Sequence, residues 1–196
     1  MEFKEVVRRR RTVRHFADQP VAKEVLERIA AAAQRSPSAG FSQGQRILII
    51  TEPARRRRVG ELAGEDSVVQ GGFDRFVSEC SAQFIPCVSE EIYHRRYRES
   101  DKLTEEGKEI EWPVPYWWMD IGCTVMLILL AAIDEGLAAG FCGVEDIPAL
   151  RSELSMPTEF TPVGVIPVGQ PLPDKRSPSL RRGWVPLPDF ARWEHW

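Results

Sequence analysis

Five arginines fall within seven residues near the start of the chain, in Arg8-Arg9-Arg10-Arg11-Thr12-Val13-Arg14. The planar guanidinium fork binds carboxylate or phosphate bidentately, so such a run can hold an anion. It can equally form a solvated charged face or a nucleic-acid patch. The interleaved Thr12 and Val13, with Phe16 just beyond, describe a chain that dives inward with its guanidinium groups aimed at something. On composition, solvated face and phosphate site stand level. A second stretch, Ser36 to Gln45 (SPSAGFSQGQ), is small and rich in hydroxyl and amide groups. Such a loop lets backbone come close to a flat polar ligand, although alone it fits a plain connection better.

Other chemistries have no foothold. The chain has no GxGxxG, Walker, GxSxG or HExxH motif. Its histidines, His15, His94 and His195, are not spaced as a metal pair; His15 reads as structural, and His94 and His195 as solvent-facing. Cys80, Cys87, Cys123 and Cys142 show neither CxxC nor zinc-ligand spacing. Two of them lie in or beside an apolar stretch, where free cysteine behaves as a small hydrophobe. No metal site and no catalytic side chain are expected. An enzyme built on this chain would bring its reactive group in as a cofactor.

The element that must position these residues is Tyr116–Val144. From Ile121 to Ile133 no charge interrupts a run of 13 residues. A bilayer needs about 20, so the run reads as a central core helix, buried on all sides. Gly136 and Gly140 break it, and Phe141 to Val144 restart as an extended segment. Before it come a short amphipathic helix over residues 2–9, a second over 21–33, a strand at Arg46–Thr51 and a helix opened by Pro53. Arg55 to Arg58 on that helix read as a solvated face. Ala82–Val88 reads as a strand, at an edge or bulge because of Pro86. Residues 93–118 read as a long excursion, either a lid or a surface insertion. Asp146 caps a helix to about Met156, and Thr161–Gly169 is a last strand. The Pro-rich tail from Gln170 keeps Leu180, Trp184, Leu187, Phe190, Trp193 and Trp196, anchors that a disordered tail lacks.

The totals bound the rest. With 196 residues, 43% hydrophobic and 28% charged, one domain spanning 1–196 is expected. A net charge of −3 argues against a general polyanion binder. The N-terminus lacks an apolar segment, so no secretory signal is read there, and a reducing cytoplasm is the expected compartment.

Taken together, four motifs resemble the nitroreductase family of flavin enzymes. RRRTVRHF is similar to its N-terminal arginine signature, and SPSAGFSQ to its Pro-Ser-x-x-Asn-x-Gln loop. DIGCTVMLILLAAIDEGLAAGFCGV resembles its central helix and glycine turn. VIPVGQP with LRRGWVPLPDFARWEHW resembles its last core strand and C-terminal arm. Each motif is weak alone; their order and separations make the resemblance.

The resemblance implies an α+β fold, a mostly antiparallel sheet flanked by helices, in an intertwined homodimer with a swapped C-terminal arm over about 170–196. FMN would sit between the chains. Arg10, Arg11 and Arg14 would hold its phosphate and ribityl chain, with Thr12 beside them and Arg181 and Arg182 as a second basic pair. Pro37, Ser38 and Ala39 would line the ring, with Phe41 and Gln43 of the same loop as further cofactor-binding residues. The turn of Phe141, Cys142 and Gly143 would offer a backbone N–H to the hydride-accepting nitrogen. Phe41 replaces the usual Asn, and Gly44-Gln45 the usual Pro-Trp. Phe41, Trp112, Tyr116 and Trp117 are candidates for a substrate wall, Trp112, Tyr116 and Trp117 with ordinary packing as the alternative.

The implied activity is a two-step oxidoreductase, in which NADH or NADPH reduces FMN and a nitroaromatic, quinone or similar planar acceptor takes the electrons. A flavin-storage protein of the same fold is the alternative. Nucleic-acid binding through the arginines is disfavoured by net acidity and the lack of a reader motif. No membrane association is expected.

Overall fold

The computed structural model describes residues 1–175 and 177–196. Its centre is strand β2 (Ala82–Val88), every residue of which is buried. β2 pairs antiparallel with β1 (Gln45–Ile50) on one side and with β5 (Ile166–Gly169) and β4 (Thr161–Pro162) on the other. β3 (Ala138–Ala139) closes the far edge against β5, giving the order β1-β2-β5-β3. β2 is therefore central, against the edge expected from Pro86. The missing N–H costs nothing there: β5 pairs with residues 82–84 and β4 with 87–88, leaving Pro86 in the gap between them. The expected single strand at 161–169 is two pieces for the same reason, since Val163 N–H bonds Pro86 O between them.

Alternation along β2 sends Phe84 to one face and Ile85 and Cys87 to the other. The first face packs on α2 (Lys23–Ala33) and α6 (Tyr116–Asp134) through Leu26, Ile29, Ala33, Ile128 and Ala132. The second packs Val13, Phe16, Val59, Val77 and Leu150 beneath α3 (Pro53–Leu62) and α7 (Ile147–Glu153). Glu52 caps α3, accepting from Ala54 and Arg55, and Asp146 caps α7, accepting from Ala149. Arg56 departs from the solvated face expected of α3: it is half-buried, and its carbonyl accepts from the buried Gln83. The smaller helices are α1 (Phe3–Arg9), α4 (Glu65–Gln70), α5 (Glu90–Tyr97) and α8 (Leu187–Phe190).

Within one chain α6 is buried along one face only; the rest of the expected burial is left to the subunit interface that the resemblance implies. Its 19 residues bury Trp117, Asp120, Ile121, Thr124, Ile128 and Ala132. The opposite face exposes Trp118, Met119 and Met126, with Gly122 and Cys123 between them. The sheet, α2 and α1 pack on this helix, and the face carrying Trp118, Met119 and Met126 stays exposed among the described residues. The helix is longer than its uncharged run and has a mean hydropathy of 1.7, so by length and composition it would reach across a bilayer. It carries the buried Asp120 on the face it packs inward.

Past β5 the chain forms a 3-10 turn at Pro178–Arg182 and the short α8, otherwise extended as its prolines require. Trp184, Phe190, Trp193 and Trp196 all lie exposed on this arm, Trp184 at 88%.

Candidate functional site

Arg8 and Arg9, in the last turn of α1, both bond Glu5 one turn back, at 2.7 and 2.6 Å. The next three differ. Among the described residues no carboxylate pairs with Arg10, Arg11 or Arg14. The backbone that carries them is nevertheless fixed. Val13 N–H donates to Ala139 O at 3.1 Å, so the run lies along the outer side of β3, and Leu172 N–H donates to His15 O behind it. Val13 and Phe16 are buried, which confirms the inward path. Arg11 lines a cleft of 290 Å³ beside this edge. Arg14 donates its backbone N–H to the Asp174 carboxylate at 2.8 Å and lays its guanidinium 5.0 Å from the Phe73 ring centre. An aromatic face steadies the cation without neutralising it. Lys175 approaches the same ring at 5.7 Å. Phe73 and Lys175 went unread in the sequence, because neither carries a motif and only the fold brings residues 73 and 175 to residue 14.

The glycine turn lies on the same edge. Gly140 and Cys142 donate their N–H groups to Pro167 O and Val165 O, on β5 and the residue just before it. Phe141 and Gly143, one residue out of phase, turn their N–H groups outward and make no backbone bond among the described residues. Gly140 has no room for a side chain, since a Cβ there would sit 2.7 Å from Val13 O. A Cβ at Gly143 would meet nothing within 4 Å, so the space beside it is open. Phe141 packs its ring on Gly164. The Cys142 thiol is half-buried, and burial, then the Glu65 and Glu145 carboxylates, raise its pKa. The shift favours the protonated thiol.

The other loop sits elsewhere. Residues 36–43 run into β1, at the edge of the sheet opposite β3. From the arginine run through β3, β5 and β2 to β1 is four strand steps, about 19 Å at ~4.8 Å each. One chain therefore carries Arg10, Arg11, Thr12, Arg14 and the Phe141–Gly143 turn on one edge, and Pro37, Ser38, Ala39, Phe41 and Gln43 on the other. Arg181 and Arg182 stand exposed on the arm and bond neither group.

This second loop is tied down by side chains. The buried Asp120 carboxylate accepts from Ala39 N–H at 2.9 Å and from the Tyr93 hydroxyl at 2.8 Å. Burial, then that bond, hold the Tyr93 phenol protonated well above its ordinary range. Ser38 Oγ accepts from Gln43 N–H, Gln45 donates to Pro37 O, and Arg96 donates to Gly40 O. Gly40, Phe41 and Gln43 all have positive φ, at 60°, 55° and 53°. Asp120 had one signal in the sequence: a charge placed directly before the uncharged run.

Trp112, Tyr116 and Trp117 gather around α5. Trp112 lies 4.4 Å from the Tyr97 ring, 5.5 Å from Trp117 and 6.2 Å from Tyr116. Trp117 is 6% exposed, so its faces are spent on packing; Tyr116 remains half-exposed. Glu109 clasps the 98–115 segment to α5, accepting from Trp112 Nε1 at 2.7 Å and Arg98 Nε at 2.9 Å and bonding His94 Nδ1 at 2.5 Å. His94 thus departs from the solvent-facing reading. Burial opposes its charge, but the Glu109 and Glu90 carboxylates outweigh that and raise its pKa.

With this geometry in hand, comparison with known proteins is informative. The sequence profile of the nitroreductase family matches residues 7–170. An iodotyrosine deiodinase of Nematostella vectensis is 26% identical, the match covering 92% of this chain and 71% of that one. A protein of Archaeoglobus fulgidus provisionally named NADH dehydrogenase/NAD(P)H nitroreductase is 24% identical over 85% of this chain and 83% of its own. A provisionally assigned nitroreductase of Exiguobacterium sibiricum, solved in complex with FMN, superposes with a TM-score of 0.78 at 18% identity, covering 99% and 98% of the two chains. The chain belongs to the nitroreductase family.

Proposed function

We propose that this nitroreductase-family chain is an FMN-dependent oxidoreductase that takes electrons from NADH or NADPH and passes them to a planar acceptor such as a quinone or nitroaromatic. The observation that carries this reading is the edge where, among the described residues, Arg10, Arg11 and Arg14 lack carboxylate partners beside a glycine turn with outward N–H groups. A cofactor with a phosphate at one end and a hydrogen-bonding ring at the other matches that edge. FMN, when bound, supplies reversible two-electron chemistry that no side chain here can perform. The arginines bind the phosphate, with Thr12 alongside and Arg181 and Arg182 as further candidates on the arm. Phe141 and Gly143 direct N–H groups at the ring, giving fixed dipoles without a titrating side chain.

Pro37, Ser38 and Ala39 line the same ring in this reading, and the two edges of one chain are too far apart to share one ligand easily. A homodimer removes that difficulty, with each ring lying between one chain's arginine edge and the other's loop. The exposed faces of α6 and of the arm are the surfaces for that contact, and their burial would exclude water from the ring. The reading places the protein in the cytoplasm.

The test is a visible spectrum of the purified protein, followed by anaerobic NADH and then NADPH. A flavin spectrum that bleaches supports the reading and identifies the donor. A flavin spectrum that persists with both would favour storage instead. No flavin after incubation with FMN would sink it.

A further inference from the structure

Phe41 combines two properties that rarely coincide. Its φ is +55°, a region that L side chains other than Asn and Asp seldom occupy, and its ring is 75% exposed. Neither burial nor packing within the chain compensates that backbone strain. The surroundings enforce it: Phe41 N–H donates to Ser38 O, Ser42 Oγ to Ala39 O, and the Tyr97 ring lies against Gly40. Strain that the surroundings over-determine points to a role for what it presents. Here it presents a bare aromatic face.

The ring lines an open groove of about 1370 Å³, along the C-terminal end of α2, the start of β1 and α5. Arg35, Arg46, Arg95 and Arg96 line the same groove, against Glu27 and Glu99. Arg96 is held by Asp101 and Arg95 by Glu159, but Arg35 and Arg46 pair with no carboxylate among the described residues. Two guanidinium groups without carboxylate partners among the described residues, Arg35 and Arg46, therefore share the groove with an exposed ring.

We propose that Phe41 is the specificity-determining residue of the acceptor site, a stacking platform that receives a planar aromatic acceptor bearing an anionic substituent. This rests on the oxidoreductase reading above. It names the substrate class within it: stacking on Phe41 selects the plane, and the arginines select the charge.

The test uses the holoprotein and three acceptors: 1,4-naphthoquinone-2-sulfonate, its uncharged parent, and ferricyanide, which is anionic but not planar. Asn tolerates positive φ, so Phe41→Asn should raise Tm by about 2–4 °C while removing the ring. FMN content should not change. KM for the sulfonated quinone should rise about tenfold, as for a lost aromatic stack, with ferricyanide unaffected. In the wild type the sulfonated quinone should have a lower KM than its parent. An unchanged KM for the planar acceptors would overturn the proposal. So would loss of FMN, which would make Phe41 a cofactor residue, or a shift to monomer at constant KM, which would make it a subunit contact. If the wild type binds no FMN or is not reduced, the oxidoreductase reading has failed on its own account. Binding of the sulfonated quinone, followed by tryptophan quenching, then decides the stacking claim, with equal affinity in both proteins refuting it.

Discussion

The two edges of the sheet solve the problem of presenting a surface in opposite ways. On the β3 edge, Arg10, Arg11 and Arg14 stand without carboxylate partners among the described residues, and what is fixed is their backbone and, over the Phe73 ring, the Arg14 guanidinium. On the β1 edge, the loop from Ser36 to Gln43 is fixed by side chains on three elements: Asp120 from α6, Arg96 from α5 and Gln45 from β1. The first edge offers charge and the second offers shape. A charge-based surface should fail when a charge is removed and should respond to salt. A shape-based surface should fail when a hydrogen bond is removed and should be indifferent to salt.

The largest effect is expected on the arginine edge. Arg10→Ala combined with Arg181→Ala should release FMN, with the loss steeper at high ionic strength, because both positions are read as phosphate partners. Flavin content after gel filtration measures it, and full retention would refute the assignment. Retention only in the Arg181 single variant would leave Arg10 as the phosphate residue and move the second cation to Lys175, which the fold brings to the Phe73 ring shared with Arg14.

Next is the contact that would bring the two edges together. Truncation after Ser179 removes Trp184, Phe190, Trp193 and Trp196, none of which is buried within its own chain. Their removal should therefore leave the folded core intact while shifting the protein from dimer to monomer, measured by sedimentation. A truncated chain that stays dimeric would show that the exposed face of α6 suffices without the arm.

On the shape edge, Asp120→Ala strands the Ala39 N–H and the Tyr93 hydroxyl, at a cost of about 2–4 kcal/mol. Chemical denaturation gives the stability, and hydrogen exchange should show residues 38–43 loosening first. Tyr93→Phe removes one donor and should cost less, about 1 kcal/mol, with Ala39 still bonded. Equal losses in the two variants would mean that Tyr93, not the loop, is what Asp120 holds.

The smallest effect concerns the clasp at Glu109. Its own pKa is lowered: burial opposes this, but Trp112, His94 and Arg98 prevail. That contribution is present above the ordinary carboxylate pKa and is lost as pH falls through the lowered one. His94 is raised, so its contribution is complete below the ordinary imidazole pKa and is lost as pH rises through the raised one. Exchange in residues 99–115 should thus be slowest between the two, and Glu109→Gln should flatten the profile. A profile that keeps its shape in that variant would assign the pH dependence to another group.

The sequence carried a good part of this by itself. Period and punctuation placed α2, α3 with Pro53 at its start, and the cap at Asp146, because these signals act within one or two turns of chain. The arginine run and the SPSAGFSQ loop were legible as candidates for the same reason, since type and spacing are local. Pairing was not legible. Pro86 reads as an edge signal, yet β2 is central, because the tolerance for a missing N–H depends on which strands end beside it. The apolar face of α6 reads as core, yet half of it is bare, because composition records how much surface must be covered and not what covers it. Asp120, Phe73 and Lys175 acquire meaning only through neighbours 81, 59 and 102 residues away, at Ala39, Arg14 and Phe73. Local chemistry determined which residues can act, and only the tertiary structure decided which of them share an edge, because through-space contact is set by strand order and no residue encodes that alone.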